Sequence, residues 1–175
     1  EFPLGGQDQF KVFVGPKIEN SDMLASSPSI YSPVMKQFAL GGNAGAYASN
    51  TDAGVGLTWS QPTDSYSQPK WSVSTGYVSK GGEDATQGMF TDVNSKWLSQ
   101  LAYGGPTWGV SYAYAVHNCS GQQTGTQEAA CNAWSTFYAT DLGDNVGVTG
   151  ETATSIRGYW KPSDNGIVPQ IQLGV

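Results

Sequence analysis

The chain has 175 residues, with 14 acidic and 8 basic side chains and a formal net charge of −6. This acidity excludes a duplex nucleic-acid binder, which needs a basic surface, and the 12 % aromatic content excludes a disordered chain. Only 13 % of the residues are charged, about half of the ~25 % usual for soluble domains, whereas glycine contributes 23 residues. This composition is typical of extended β structure with one face in a non-aqueous or packed setting.

Apolar residues alternate with small or polar ones along most of the chain, and turn signals separate the runs. No run approaches the roughly 18 consecutive apolar residues of a transmembrane helix. The pattern predicts an all-β, antiparallel fold with about nine strands in a single domain spanning 1–175. The nine predicted ranges are 10–18, 38–48, 54–59, 70–80, 95–103, 107–116, 133–139, 153–161 and 168–175.

The range 107–116 shows the alternation most clearly. One of its faces is apolar and aromatic, and it consists of Trp108, Val110, Tyr112, Tyr114 and Val116. The opposite face contains only threonine, glycine, serine and alanine. Successive side chains of a strand point to opposite faces, so this strand is predicted to have one apolar face and one small-residue face. The range 10–18 is similar, and its alternation places Ile18 with Val12 and Val14, opposite Phe13 and Lys17.

Short turns and long loops alternate between the predicted strands. The turn at 104–106 is tight, whereas the segments 19–36, 81–94 and 118–132 are long and polar. Short turns at one end and long loops at the other are typical of an outer-membrane β-barrel. A soluble β-sandwich also alternates polar and apolar residues, but its solvent face normally carries more charge. The pattern favours the transmembrane barrel and leaves the sandwich as the alternative.

The chain has two cysteines, Cys119 and Cys131, at the ends of a short polar loop. We expect a disulfide between them in an oxidising compartment, worth roughly 3 kcal/mol at most, with two free thiols as the alternative. Their spacing and the presence of one histidine, His117, predict no metal site and no cofactor. With no catalytic set or phosphate loop in the sequence, we expect no enzymatic activity.

Several motifs resemble those of cyanobacterial outer-membrane porins, the Som-type or iron-uptake porins related to carbohydrate-selective porins. The stretch FKVFVGPK at 10–17 is followed by DMLA at 22–25, SP at 27–28 and Tyr31. The resemblance continues through AGVG at 53–56, WSVSTGYV at 71–78, AYGGPTWG at 102–109 and RGYWKPSD at 157–164. It covers nearly the whole chain, and KGG at 80–82 is most similar to versions from marine picocyanobacteria.

The resemblance implies a roughly 16-stranded barrel in the outer membrane of a Gram-negative cyanobacterium, often trimeric. It also implies a periplasmic S-layer-homology domain that attaches the protein to the cell wall. The implied function is passive diffusion of inorganic ions and small solutes, with iron among them. This sequence contains no such domain, no signal peptide at its start and no terminal aromatic residue. We therefore expect a segment of a longer porin, with about nine strands of its barrel, and a complete small barrel of eight strands is the alternative.

The selectivity of a porin depends on charged side chains that line its constriction. Five basic residues fall on the non-aromatic faces of predicted strands and are the pore-lining candidates: Lys11, Lys17, Lys96, Arg157 and Lys161. Most acidic residues fall in the loops. The sequence thus predicts a basic inner wall that favours anions, beneath an acidic collar. The alternative for each lysine is a position near a strand end from which it snorkels to the headgroups.

Two loops have predicted roles. The segment 19–36 contains several apolar residues, so we expect it either to fold into the barrel and narrow the pore or to pack against a neighbouring loop or subunit. The loop between Cys119 and Cys131 would stand on the cell surface, where it could serve as a receptor for phage or other partners. A second functional hypothesis is an adhesive or structural surface protein without channel activity.

Overall fold

The computed structural model describes residues 1–6, 9–30, 43–47, 51–79, 82–83, 85–86, 88–90, 95–118, 150–163 and 170–175. The described residues form one antiparallel sheet of eight strands in sequential order, with β1 and β8 at its edges. The strands are β1 (Phe2–Leu4), β2 (Phe10–Glu19), β3 (Thr51–Ser60), β4 (Lys70–Ser79), β5 (Ser95–Gly104), β6 (Trp108–Asn118), β7 (Gly150–Trp160) and β8 (Ile171–Gly174). The prediction of an all-β, antiparallel fold is confirmed.

Seven of the nine predicted ranges overlap β2–β8. β1 was not predicted, because three residues are too few to show alternation. The predicted strand 38–48 is wrong over Ala44–Tyr47, which form the short helix α1. Asn43 causes the difference, since its side-chain oxygen accepts from the Ala46 N–H at 2.8 Å and caps the turn. The rest of that range, apart from Asn43, and all of 133–139 lie outside the described residues, as do Cys119 and Cys131.

The connections between strands alternate in length. The chain segments 5–9, 61–69, 105–107 and 161–170 join strands at one end of the sheet, called here the short-turn end. The longer segments 20–50, 80–94 and 119–149 join strands at the opposite end, called here the long-loop end. The alternation predicted from the sequence is therefore present across the whole sheet.

The two faces of the sheet differ in every long strand. One cross-strand row, Trp59, Val73, Leu101, Tyr112 and Ile156, belongs to the apolar face. This face is open: Leu101 and Tyr112 are each 45 % exposed, and Ile156 is 61 % exposed. The opposite face, called the small-residue face, contains the rows Gly56, Gly76, Leu98, Ala115, Ala153 and Thr58, Ser74, Gln100, Ala113, Ser155. Most of its residues are buried.

A β-bulge in β2 changes the face of one predicted residue. The register with β3 shifts between Gly15 and Ile18, so that Ile18 pairs with Asp52. A bulge inserts one extra residue and reverses the alternation that follows it. Ile18 consequently packs against the buried cluster of Phe13, Met23 and Val78 on the small-residue face. The prediction that placed Ile18 with Val12 and Val14 is wrong for this reason.

Candidate functional site

A polypeptide segment crosses the small-residue face from β2 to β8. This segment, residues 20–30, is called the strap, and it begins with a 3₁₀ helix (Asn20–Met23) directly after β2. Met23 is fully buried between the strap and the sheet. A Cβ atom at Gly56 would lie 2.6 Å from the Met23 sulfur, and one at Gly76 would lie 2.7 Å from its terminal methyl. Two strand glycines thus provide the space that lets the strap approach the sheet.

The first half of the strap is bonded to β4 and β5. Asn20 donates from its side-chain amide to the carbonyl of Lys96 at 3.1 Å. The backbone N–H of Ala25 donates to the Ser74 hydroxyl at 2.7 Å. Both contacts link residues distant in sequence, so they fix the direction in which the strap leaves the end of β2.

Arg157 of β7 holds the middle of the strap. Its guanidinium donates to the carbonyl of Ser27 and, at 2.8 Å, to the hydroxyl of Ser26. Its Nε donates to the Ser111 hydroxyl on β6 at 3.2 Å, and its charged group lies 5.5 Å from the centre of the Tyr159 ring. Arg157 is only 1 % exposed, and two of its donors bond the strap while a third bonds β6, so the side chain ties the strap to the sheet.

Gln172 of the edge strand β8 holds the end of the strap with both atoms of its amide group. Its oxygen accepts from the Ile30 N–H at 2.9 Å, and its nitrogen donates to the Pro28 carbonyl at 3.3 Å. One side chain therefore satisfies a donor and an acceptor of the strap backbone, as a neighbouring strand would.

Helix α1 covers the small-residue face beside the strap, near the long-loop end. Its Tyr47 is fully buried in a cluster with Leu98, Ala113 and Ala115. Gln100 donates to the Tyr47 hydroxyl at 3.4 Å, and Asn43 donates to the Thr154 carbonyl at 2.9 Å. The strap and α1 together fill the half of the small-residue face nearer the long-loop end with side chains.

An open cavity of about 870 Å³ lies at the short-turn end of the same face. The strap forms one of its walls, and the turns 61–69 and 105–107 contribute another. Its remaining lining is rich in hydroxyl groups, including those of Thr58, Ser60 and Ser72. Its charged lining residues are Lys11, Lys70, Arg157, Lys161, Glu1 and Asp22. The cavity is therefore polar, with more cationic than anionic side chains around it.

The two carboxyl groups of this lining have different surroundings. Glu1 accepts a salt bridge from Lys11, with 2.7 Å between nitrogen and oxygen, and this hydrogen bond lowers the pKa of Glu1 below its usual value. Asp22 lies in the strap, where burial, with a smaller contribution from the charge of Glu19, raises the pKa of its carboxyl. The surroundings of Glu1 thus favour its ionised carboxylate, whereas those of Asp22 favour its protonated, neutral form.

The structure brings three of the five predicted pore-lining residues together. Lys11, Arg157 and Lys161 line the cavity, although Arg157 is buried and engaged with the strap. Lys96 is fully buried near the long-loop end, opposite His117 in the register of β5 and β6, and it does not line the cavity. Lys17 is exposed beside the β2 bulge and does not line it either.

The sequence analysis missed the residues that fix the strap. Ser26, Ser27 and Gln172 give no signal in an alternation pattern, because their partners are more than a hundred residues away. Gly56 and Gly76 are a usable signal in retrospect. They face each other across β3 and β4, and paired glycines in strand interiors indicate close approach of another segment.

Aromatic rings gather at both ends of the apolar face. At the short-turn end, the Tyr103 ring lies 4.7 Å from that of Trp71 and 5.7 Å from that of Trp108. At the long-loop end, the Tyr77 ring lies 5.3 Å from that of Phe90 and 6.1 Å from that of Trp97. Aliphatic residues such as Val73 and Leu101 lie between the two groups. The middle of this face also contains Tyr112 and Tyr114, so aromatic rings are grouped at its ends but not confined to them.

Within the part of the chain that the structure describes, no group of three or more His, Cys, Asp or Glu side chains could hold a metal ion. No helix among the described residues is long and apolar enough to cross a membrane. The arrangement can offer hydroxyl groups and cations to a hydrated solute in the cavity, and an apolar surface on the opposite face. Comparison of the chain with protein-family models, with curated proteins and with solved structures finds no match.

Proposed function

We propose that the sheet forms part of the wall of an outer-membrane β-barrel pore, through which inorganic ions and small hydrophilic solutes diffuse passively. The observation that carries this proposal is the division of the sheet into an exposed apolar face and a small-residue face with a polar cavity. Soluble monomers rarely expose contiguous apolar patches of more than a few hundred Å². A lipid-facing wall requires such a patch, and a water-filled lumen requires the polar face.

Strand length and aromatic placement support the same proposal. The six strands β2–β7 have 10 or 11 residues each, and a tilted strand needs about 9–11 residues to cross the hydrocarbon core. Barrel proteins carry aromatic girdles at both interfaces, and a group of aromatic rings lies at each end of the apolar face.

The edges of the sheet support a larger barrel. Among the described residues, β1 pairs with residues 10–12 of β2, and β8 pairs with residues 157–160 of β7. On their outer edges, residues 13–19 of β2 and residues 150–155 of β7 have no paired strand among the described residues. Because an open sheet edge is not stable in hydrocarbon, the proposal requires further strands to close the barrel. The placement in a cyanobacterial outer membrane, the trimer, the attachment to the cell wall and the transport of iron rest on the sequence resemblance alone.

The proposed pore is tested by single-channel recording in a planar bilayer with a salt gradient. The protein is detergent-extracted and reconstituted. Discrete, ohmic conductance steps are expected, with a reversal potential that indicates anion preference, because cationic side chains exceed anionic ones around the cavity. The substitutions Lys11→Gln and Lys161→Gln together should move the reversal potential toward cations.

Lys17→Gln is the matched control, since it removes the same charge from an exposed lysine that does not line the cavity. It should leave the reversal potential unchanged. The absence of conductance steps from wild-type protein would contradict the pore. An equal shift in all variants would contradict the assignment of selectivity to the cavity.

The second candidate is an adhesive or structural surface protein. The observation that favours it is the packing of Met23 and Tyr47 against the small-residue face, since a second layer over the apolar face would then complete a sandwich. Such a protein would stay monodisperse without detergent and would show no conductance. A pore protein would aggregate when detergent is removed in the absence of lipid.

A further inference from the structure

We propose that Arg157 and Gln172 form a latch that holds the strap across the pore and thereby sets the size of its aperture. The inference rests on the proposed pore function and assigns the two residues a positioning role. Arg157 was predicted from the sequence to select permeant ions. Its burial and its contacts indicate that it acts on the strap instead.

The contacts divide the strap into an anchored beginning and a latched end. Asn20, Met23 and Ala25 are held by β3–β5, close to where the strap leaves β2. The latch acts on residues 26–30, where Arg157 bonds Ser26 and Ser27 and Gln172 bonds Pro28 and Ile30. These four strap residues have bonds to strands at the far side of the sheet. If the latch opened, the end of the strap would lose these anchors. Its beginning would then be held only by the contacts of Asn20, Met23 and Ala25, so the whole strap would open more often.

The position of the latched end determines the space beside it. Ser26, Ser27, Ser29 and Ile30 all line the cavity. A solute that enters from the short-turn end therefore meets this part of the strap before it reaches the long-loop end. The aperture is narrow while the latch is closed, and displacement of residues 26–30 would widen it.

The chemistry of the two latch residues suits a contact that can open. A buried guanidinium is stable only while its donors are satisfied, so Arg157 favours the docked strap strongly. The amide of Gln172 lies on a four-residue edge strand, and short edge strands open at low free-energy cost. The two residues thus provide one strong and one weaker hold on the same segment.

The latch is tested first by hydrogen exchange, which does not depend on channel activity. The reporters are the backbone amides of Ala25 and Ile30, whose acceptors are Ser74 and Gln172. Arg157 touches neither amide, so faster exchange in Arg157→Gln reports release of the strap itself. We expect exchange about tenfold faster, which corresponds to about 1.4 kcal/mol of lost docking free energy. Gln172→Ala should also make hydrogen exchange at the Ala25 amide faster, by a smaller factor than Arg157→Gln.

Lys161→Gln is the matched control, because it removes a positive charge from the same cavity and leaves the bonds of Arg157 and Gln172 to the strap in place. It should leave the exchange of both amides unchanged. Ser26→Ala is the second latch variant, for use if Arg157→Gln does not fold. It removes the hydroxyl that accepts from Arg157 and leaves the buried guanidinium in place.

Single-channel recording then tests the aperture. The latch variants should show a larger unit conductance than wild type, while Lys161→Gln should change the reversal potential without enlarging the conductance. Unchanged exchange in Arg157→Gln, Gln172→Ala and Ser26→Ala would overturn the latch. Faster exchange with unchanged conductance would overturn its control of the aperture. A wild type without conductance would refute the pore, and this part of the inference with it, whatever the exchange rates show.

Discussion

The two halves of the small-residue face are built from the same kinds of residues but are covered differently. Toward the long-loop end, Met23 and Tyr47 fill the space above Gly76, Leu98 and Ala113. Toward the short-turn end, the strap crosses above hydroxyl-rich strands and leaves an open cavity. Small side chains on a strand therefore do not by themselves make a lumen. What matters is whether another segment of the chain brings a large side chain to meet them.

This difference determines where charge can act on a solute. The half toward the long-loop end is called here the filled half, and the half with the cavity is called the open half. Lys96, which is fully buried, belongs to the filled half. Lys11, which is partly exposed, and Lys161, which is exposed, belong to the open half. Side chains reach permeating ions only from surfaces that water wets. In the proposed pore, selectivity resides in the open half, and the filled half serves to hold the strap.

The filled half is tested most severely by Met23→Ala. Truncation of a fully buried methionine leaves a cavity between the strap and β3–β4, and such changes typically cost about 2–5 kcal/mol. We expect a loss of this size in the free energy of unfolding, measured by denaturant titration in detergent. Met23→Leu preserves most of the volume and should cost less than about 1.5 kcal/mol. Equal stability of Met23→Ala and wild type would show that the strap does not pack as described.

The apolar face is tested by placing a charge at its middle. Leu101→Lys introduces an amine at a mid-strand residue that is 45 % exposed. In lipid, a lysine near the bilayer midplane costs about 2–4 kcal/mol, whereas near the interface it costs about 0–1 kcal/mol. The matched control is Ile171→Lys, which is also 45 % exposed but lies at the short-turn end. Unfolding in lipid vesicles should separate the two variants, and equal small losses would favour the water-exposed surface of an adhesive protein.

The sequence predicts what depends on neighbours along the chain and fails where distant segments meet. The alternation in 107–116 predicted both faces of β6, because each residue's direction follows from strand geometry. The bulge that redirects Ile18 gave no such signal, since it depends on how Gly15 and Gly54 pair between strands. Arg157, which the sequence predicts to line a pore, lies in the wall of the cavity. Its bonds to Ser26 and Ser27 could not be foreseen, because they join segments about 130 residues apart.

The smallest expected effect concerns the strap and pH. The pKa of Asp22 is raised in the folded protein by burial, and further by Glu19, above its ordinary value of 3.8. The folded state therefore holds this proton more tightly than the unfolded state, so the contribution of Asp22 to stability falls as the pH rises through this range. Asp22→Asn should remove that decline and make the protein slightly more stable at neutral pH. Denaturant titration at a series of pH values measures both effects, with Asp64→Asn in the exposed 61–69 turn as the control. A decline of the same slope in wild type and Asp22→Asn would show that this carboxyl does not oppose docking of the strap, and that the strap is held independently of pH by its contacts to Arg157 and Gln172.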